Sequence, residues 1–361
     1  MPRASRAGLA RSDEFVGLTA EGDCATPFRR PDDDGLGCAA TCYSRAMRIV
    51  FMGSPDFALP TLTRLIESEH EIVAVYTQPD RPSGRGRKLA PPPVKTLALA
   101  HGLDVRQPKS ISKPDVVEEL RALAPDIGII AAYGQILRQP VLDVPRLGVL
   151  NVHASLLPRW RGAAPIPAAI RAGDAESGAT IMLVRLALDA GPMLTSAHVA
   201  IDRDDTTATL TPKIAAAGAN LLLDVLPQWA RGEITAVEQD ESLATYAPQI
   251  EKSDALIDCE RESADAVRRK VRAYDPWPIA YGYVSAQPLR ILSCDTAGDV
   301  PSAQPGSIVR HGDGFAIAAG DGSAIVPITV QGPGGKPMPA SAYLRGHAEI
   351  IGQRFEPTPS T

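Results

Sequence analysis

From residue 47 onward, short apolar runs alternate with segments of helical period. Residues 48–52 (RIVFM) are apolar throughout and end at Gly53, the pattern of a strand buried on both faces. Residues 57–67 place apolar side chains at helical spacing. Ser54 is positioned to cap that helix, with Pro55 at its first position. EIVAVYT (71–77), DIGIIAA (126–132) and GVLNV (148–152) read as further strands, and 94–101 and 113–124 as helices. Continuous apolar strands separated by helices imply a doubly wound, mostly parallel α/β sheet. ATIMLVRL (179–186) and MLTSAHVAI (193–201) add two strands. A long helix follows over about 206–230, with Pro212 in its first turn.

The pattern then changes. Residues 232–251 have no clear period and read as a linker, followed by a helix over 262–273. Beyond it YGYV, LRILSC, GSIV, FAIAAG and SAIVPITV come at turn-rich spacing, as in a small β-barrel. The expected organisation is therefore a catalytic α/β domain over 47–231, a linker over 232–251 and a smaller C-terminal barrel over 252–361. Residues 1–46 lack any core pattern. They carry six Arg and seven Asp or Glu, and no apolar stretch of a secretory leader. They read as a disordered extension or a start assigned too early, with Met47 the working start.

Composition narrows the class. With 361 residues and 44% apolar residues, the chain is long enough for two or three domains at roughly one per 150 residues. Aromatics are 5%, whereas Pro (33) and Gly (30) are frequent, which fits many turns rather than a helical bundle. No apolar run is long enough for a membrane helix. The five cysteines (24, 38, 42, 259 and 294) are scattered, with no zinc spacing, so we expect no metal and a reducing, cytoplasmic setting. A net charge of −5 means that any nucleic-acid contact must come from a local basic patch.

The first strand–helix turn reads GSPDFA. It lacks the second and third glycines of a dinucleotide fingerprint, and Pro55 removes an N–H, so a nicotinamide enzyme is disfavoured. There is no G-x-S-x-G elbow and no P-loop. Ligands in open α/β sheets gather at the carboxyl ends of strands. The loops after 131 and 150 are therefore the places to search. There Asn151 and His153 stand two apart, so both point to one face, and an amide beside an imidazole can hold an oxyanion and move a proton. Asp189 sits at a turn between two strands, where a carboxylate can orient the imidazole or a water. Taken singly, His153 also fits a structural hydrogen-bonding role and Asp189 a turn residue. The loop QPDRPSGRGRKLAPPPVK (78–95) carries Arg81, Arg85, Arg87, Lys88 and Lys95 against one acid, Asp80. It fits either a solvated loop or a grip on phosphates.

The joint pattern is more specific. N-V-H-A-S-L-L-P-R-W-R-G-A-A-P-I (151–166), followed by L-D-A-G-P (188–192), resembles the formyltransferases that use 10-formyltetrahydrofolate. The resemblance implies a catalytic triplet at Asn151, His153 and Asp189. It also implies a folate-contacting segment at Ser155, Leu156, Leu157 and Pro158, and a pocket bordered by AAYGQIL (131–137). P-D-R-P-x-G-R-G-x-K-L looks like the inserted loop of the methionyl-tRNA formyltransferase family, which assigns initiator-tRNA contacts to Arg81, Arg85, Arg87 and Lys88. EKSDALIDC, RAYDPWPIAY and GKPMPASAYLRG resemble that family's oligonucleotide-binding-like second domain. Arg268, Arg269, Lys270 and Arg272 are there candidates for phosphate contacts or for a solvated helix face.

The resemblance spans about 47–355 and implies a formyltransferase-like fold. It also implies 10-formyltetrahydrofolate as co-substrate without a metal, initiator methionyl-tRNA as partner, no membrane association, and a monomer. Asn151 and a protonated His153 would donate to the formyl oxygen while Asp189 helps to shuttle the amine proton. Val184, Arg185 and Ala187 depart from the usual Met, acid and Gly before Asp189, and Cys259 stands where the family often has Trp. The alternatives are a sugar-nucleotide formyltransferase, and a folate- or tRNA-binding protein without turnover.

Overall fold

The apolar run after Met47 forms β1 (Arg48–Gly53), buried from Ile49 onward. The computed structural model describes residues 46–83, 88–298 and 304–359. After β1 come α1 (Leu59–Ile66), β2 (Glu71–Tyr76), β3 (Arg81–Ser83), β4 (Lys88–Ala90), α2 (Pro93–Ala100), β5 (Val105–Arg106) and α3 (Pro114–Ala122). Next are β6 (Ile127–Ala131), α4 (Gln139–Leu142), β7 (Val149–His153), β8 (Arg161–Gly162), α5 (Pro165–Ala172), β9 (Glu176–Leu183), β10 (Met193–Ala200), α6 (Thr207–Arg231) and β11 (Tyr246–Ala247). The main sheet has the order β10-β9-β7-β6-β1-β2-β5. Its five strands from β5 to β7 are parallel, and β9 and β10 are antiparallel. Leu62 of α1, Val94 of α2 and Leu222 of α6 fill the core on one face, and Val117 of α3 and Val141 of α4 fill the other. The sheet is thus doubly wound and mostly parallel, as the apolar runs predict. The chain moves outward from β1 to β2 and β5 and then returns to β6 on β1's other side. At such a reversal a crevice opens beyond the strand ends.

Three local expectations are corrected. Ser54 does not cap the first helix, because a 3-10 turn over Asp56–Ala58 precedes α1. Its hydroxyl instead donates to the Tyr133 carbonyl (3.2 Å) and accepts from the Gln78 N–H (3.0 Å), joining three loops whose backbone groups lack sheet partners. Pro212 lies in the second turn of α6, because the helix starts at Thr207 behind the Thr206 cap. Val184–Leu186 leave the sheet, since the chain must turn there to present Asp189. The hairpin of β3 and β4 also gives the 79–93 loop some sheet structure.

The second sheet comprises β12 (Tyr281–Val284), β13 (Gln287–Ala297), β14 (Ile308–His311), β15 (Gly314–Ala318), β16 (Ala324–Gln331), β17 (Met338–Pro339) and β18 (Phe355–Glu356). It is accompanied by α7 (Ala264–Ala273) and α8 (Ala340–Gly346). Its order is β14-β15-β16-β13-β12-β18, with β17 on β16. The Phe355 N–H donates to the Gly306 carbonyl (2.7 Å) and that of Ile308 to Gln353 (2.9 Å). These bonds bring β18 against the approach to β14 and curl the antiparallel sheet into a barrel-like shape. Cys259 is buried in this second core, and burial pushes its thiol up to about 12.

The basic run on α7 joins the two sheets' layers rather than facing solvent. Arg268 donates to the Arg203 carbonyl (3.0 Å) and to Asp204 (2.7 Å), and Arg272 to the Asp205 carbonyl (3.0 Å). Arg269 donates to the Arg171 carbonyl (3.1 Å), and Lys270 is buried against Glu262 (2.6 Å). These cations are committed internally, so the phosphate role considered for them is not what the fold provides.

Candidate active site

β7 alternates as a strand between two buried layers must. Leu150 and Val152 enter one core, while Asn151 and His153 face the crevice at the carboxyl ends of β6 and β7. Asn151 pairs with Ile130 on β6 and with Met182 on β9, so its position is held from both sides. His153 is 6% exposed. Its Nε2 lies 3.0 Å from the Trp160 carbonyl, which can only accept, so Nε2 carries the hydrogen. Nδ1 is left on the side of Asp189.

Asp189 approaches that nitrogen, with Oδ2 3.8 Å from His153 Nδ1. This is beyond a direct hydrogen bond, so the carboxylate acts on the ring through its charge. Oδ2 also accepts from the Gly162 N–H (2.9 Å). Asp189 has φ 48°, a left-handed conformation that a non-glycine residue adopts only when its surroundings impose it. One cause is Gly191 two residues on, where a Cβ would sit 1.8 Å from the Leu183 carbonyl oxygen. The chain can pass β9 that closely only as glycine.

The other constraint comes from the segment between the two sheets, which periodicity reads as a linker. Gln239 is buried, and its Nε2 donates to the carbonyls of Asp189 (2.8 Å) and Gly191 (2.7 Å). Its Oε1 accepts from Arg161 Nε (2.9 Å), and the Arg161 guanidinium forks onto Glu241 at 2.9 and 2.8 Å. Arg161 is 1% exposed. β11 pairs in parallel with β8, and the two-residue bridge places the Gly162 N–H at Asp189. Gly162 has φ 113°, and a Cβ there would meet the Ala247 carbonyl oxygen at 2.6 Å. Arg185, one of the departures before Asp189, forks onto Glu238 of the same segment (2.7 and 3.0 Å). Sequence reasoning missed Gln239 and Glu241. The only available signal was a buried-size Arg in W-R-G with no local acid.

These groups open onto a cavity of about 650 Å³. Asn151, His153 and Asp189 line it together, and so do Ala132–Ile136 from the predicted 131–137 border. Two apolar residues at its wall stand in solvent, Ile136 (83% exposed) and Leu188 (65%). Ser155, Leu156, Leu157 and Pro158 are not brought to this wall. Ser155 is fully buried: its hydroxyl donates to the Arg159 carbonyl (2.6 Å), and its carbonyl accepts from Thr180 Oγ1 (2.7 Å). The Leu157 N–H donates to the same Thr180 oxygen (3.2 Å), and Leu156 faces a separate cavity of about 240 Å³. The segment's polar groups hold the loop that carries the Trp160 carbonyl.

The basic loop springs from the cavity rim. At its root Gln78 donates to the Tyr133 carbonyl (3.2 Å) and accepts from Arg81 (3.1 Å). Asp80 is clasped by Lys95 at 2.8 Å, and these bonds hold its carboxyl below the usual range. Arg85 and Arg87 lie outside the described residues, as do Cys24, Cys38 and Cys42. β4 opens at Lys88. Among the described residues no cluster of three or more His, Cys, Asp or Glu is gathered for a metal, and no helix is long and apolar enough to cross a membrane.

Residues 47–226 match the family described as Formyl transferase, and residues 249–348 match Formyl transferase, C-terminal domain. The chain is 50% identical over 309 residues to a methionyl-tRNA formyltransferase of Methylococcus capsulatus, covering 86% of this chain and 99% of that one. It is 48% identical over 293 residues to the Pseudomonas syringae pv. tomato protein of the same name, covering 81% and 92%. Among solved structures it resembles an N-formyltransferase from Helicobacter canadensis in complex with folinic acid and dTDP-3-aminofucose. There the TM-score is 0.60 at 15% identity, over 80% of this chain and all of that one. It also resembles HypX from Aquifex aeolicus in complex with tetrahydrofolic acid, with a TM-score of 0.57 at 19% identity. That match covers 85% of this chain and spans about half (48%) of HypX. At those identities the structural likeness concerns the fold.

Proposed function

This chain belongs to the methionyl-tRNA formyltransferase family, and from that premise we propose how its cavity carries the reaction. The protein formylates the amino group of methionyl-initiator-tRNA, using a folate as the formyl source, for translation initiation. In our reading the folate is 10-formyltetrahydrofolate, with its formyl carbon placed between Asn151 and His153. The observation that carries this is the convergence of Asn151, His153 and Asp189 on one cavity at the strand ends. The exposed Ile136 and Leu188 give apolar substituents a surface to cover. Ser155, Leu156, Leu157 and Pro158 serve the folate side by shaping the loop behind His153.

The neutral methionyl amine attacks the formyl carbon, forming a C–N bond and moving one electron pair onto the formyl oxygen. The Asn151 amide and an N–H at His153 Nδ1 donate to that oxygen, each worth about 3–4 kcal/mol in comparable sites. Asp189 stabilises the positive charge of the imidazolium. The proton shed by the amine passes to Asp189, directly or through a water, and from there to the folate N10, and the bond from N10 to the formyl carbon breaks. The products are formyl-methionyl-tRNA and tetrahydrofolate, so atoms and electrons balance without an oxidant.

Arg81, Arg85, Arg87 and Lys88 would meet tRNA phosphates from a loop rooted at the cavity rim. Residues 47–231 then supply the chemistry and 252–361 further RNA contacts. We read the protein as a cytoplasmic enzyme that works as a monomer, every group in the triplet coming from one chain. The test is formyl transfer from 10-formyltetrahydrofolate to charged initiator tRNA, run beside an amino-sugar nucleotide. Turnover of the tRNA alone is expected. Exclusive turnover of the sugar would overturn the reading. Replacing Asn151 or His153 with Ala is expected to cut kcat at least about a hundredfold while folate still binds, measured by single turnover and folate titration.

A further inference from the structure

A second cavity, of about 690 Å³, lies where residues 252 and 276–281 meet the second sheet. That volume falls within the roughly 300–1,000 Å³ of pockets that hold nucleotide-sized ligands. Its wall carries an indole, Trp277, which is 51% exposed and flanked by Pro276 and Pro278. Tyr281 stands beside it, and the glycine-rich turn 332–335 forms the far side. Two cations, Lys252 and Arg290, stand in the lining, and among the described residues no carboxylate does. Other cations in this half of the chain are paired, Arg268 with Asp204, Lys270 with Glu262 and Arg354 with Glu260, whereas Arg310, Lys336 and Arg345 have no ion pair among the described residues. Among the described residues Lys252 and Arg290 have no carboxylate within 4.0 Å. The side-chain bond of Arg290 goes to the neutral Gln331 amide oxygen (3.3 Å).

An exposed indole between two uncompensated cations suits a ligand that is both a flat ring and an anion. Nucleotides have that character, offering a base to stack and a phosphate to pair. The cavity's position narrows the choice. Ile250 lines the catalytic cavity and Lys252 lines this one. Thr207 also lines the catalytic cavity. Its hydroxyl holds the Ala273 carbonyl (2.7 Å), and the Ala208 N–H holds that of Asp275 (3.2 Å), two residues before Trp277. One partition therefore separates the two cavities. The second cavity is thereby within reach of the nucleotides that precede an RNA 3′ end delivered to the first.

We propose that this cavity seats a nucleobase of the substrate tRNA's single-stranded 3′ end, stacked on Trp277, with adjoining phosphates at Lys252 and Arg290. The proposal rests on the tRNA reading above and assigns to that RNA a site separate from the basic loop.

The test is steady-state formylation of charged initiator tRNA by the full chain and its variants, with the Michaelis constants for tRNA and folate measured separately. Trp277→Ala is expected to raise the tRNA constant about 5- to 100-fold, the range seen for lost base stacking, and to leave the folate constant and Tm unchanged. Trp277→Phe keeps a stacking face and is expected to stay within about threefold of wild type. The exposed pair Lys252→Gln and Arg290→Gln is expected to flatten the salt dependence of tRNA affinity by about one to two units. A tRNA constant unmoved in Trp277→Ala would overturn the proposal. So would a Phe variant as impaired as the Ala variant, since that marks packing rather than stacking. A free mononucleotide that quenches Trp277 emission without competing with tRNA would assign a separate nucleotide site, with the same consequence. If the wild type itself fails to formylate tRNA, the underlying reading falls. If it formylates and all variants are indifferent, only this inference does.

Discussion

Gln239 does not line the cavity, yet it fixes where Asp189 stands. Its amide donates twice, to the backbone on either side of Ala190, and accepts once from the buried Arg161. Removing it leaves two carbonyls and a guanidinium N–H without these partners, at a cost of about 1–3 kcal/mol for each of them that stays buried and unpaired. The strained Asp189 turn would relax first. Gln239→Ala is therefore expected to lower kcat about tenfold or more with little change in the folate Michaelis constant. Gln239→Glu keeps the size and acceptor but loses both donors, and it should fall with the Ala variant. A variant that loses only Tm, with kcat intact, would show that the turn holds without this clamp.

Two basic elements of similar composition are assigned different work in the reading proposed above. The cations of α7 are spent on backbone carbonyls and carboxylates of neighbouring elements, whereas the β3–β4 hairpin is rooted at the cavity rim, where Arg81 donates to Gln78. Arg268 is 9% exposed, so Arg268→Ala removes a buried guanidinium from Asp204 and the Arg203 carbonyl. Its expected effect is a Tm lower by about 2–8 °C with an unchanged salt slope for tRNA. Arg85→Ala with Arg87→Ala should do the reverse, flattening the slope by about one to two units at constant Tm. Thermal melts and tRNA titrations at two salt concentrations separate the pair. The reverse pattern would exchange the roles assigned to the two elements.

At the scale of the molecule, the segment between the sheets is part of the site's frame. Met193 and Val237 exchange backbone bonds at 2.8 Å, and Arg161 and Ala163 donate to Thr245 and Ala247 at the same distance. The second sheet is thereby joined to the catalytic cavity through a docked strap. The family match begins at residue 47, and the Methylococcus capsulatus protein aligns over 99% of its own length. A chain starting at Met47 is therefore expected to equal the full chain in kcat and Tm, as parallel assays and melts would check. A large loss in either would assign residues 1–46 a working part.

The main strands, the long helix after them, the parallel core and the sharing of one face by Asn151 and His153 were legible in the sequence, whereas α4, α5 (Pro165–Ala172) and the short strands β3, β4, β5, β8 and β11 were not. The legible features follow from local rules: apolar runs mark strands buried on both sides, and a period of two sends alternate side chains the same way. The joined motifs 151–166 and 188–192 pointed to the chemistry in another way, through their resemblance to a known family. Other features depend on atoms far apart in the chain, and only the tertiary structure decided them. Ser54 caps no helix, because backbone groups brought from residues 78 and 133 take its hydroxyl. The run Arg268–Arg272 reads as a solvated or phosphate-binding face until residues 171 and 203–205 arrive beside it. Gln239 looks like any polar residue in an aperiodic stretch, since its partners lie 48 to 78 positions away. Periodicity records which way a side chain points, and a hydrogen bond between distant segments leaves no such trace.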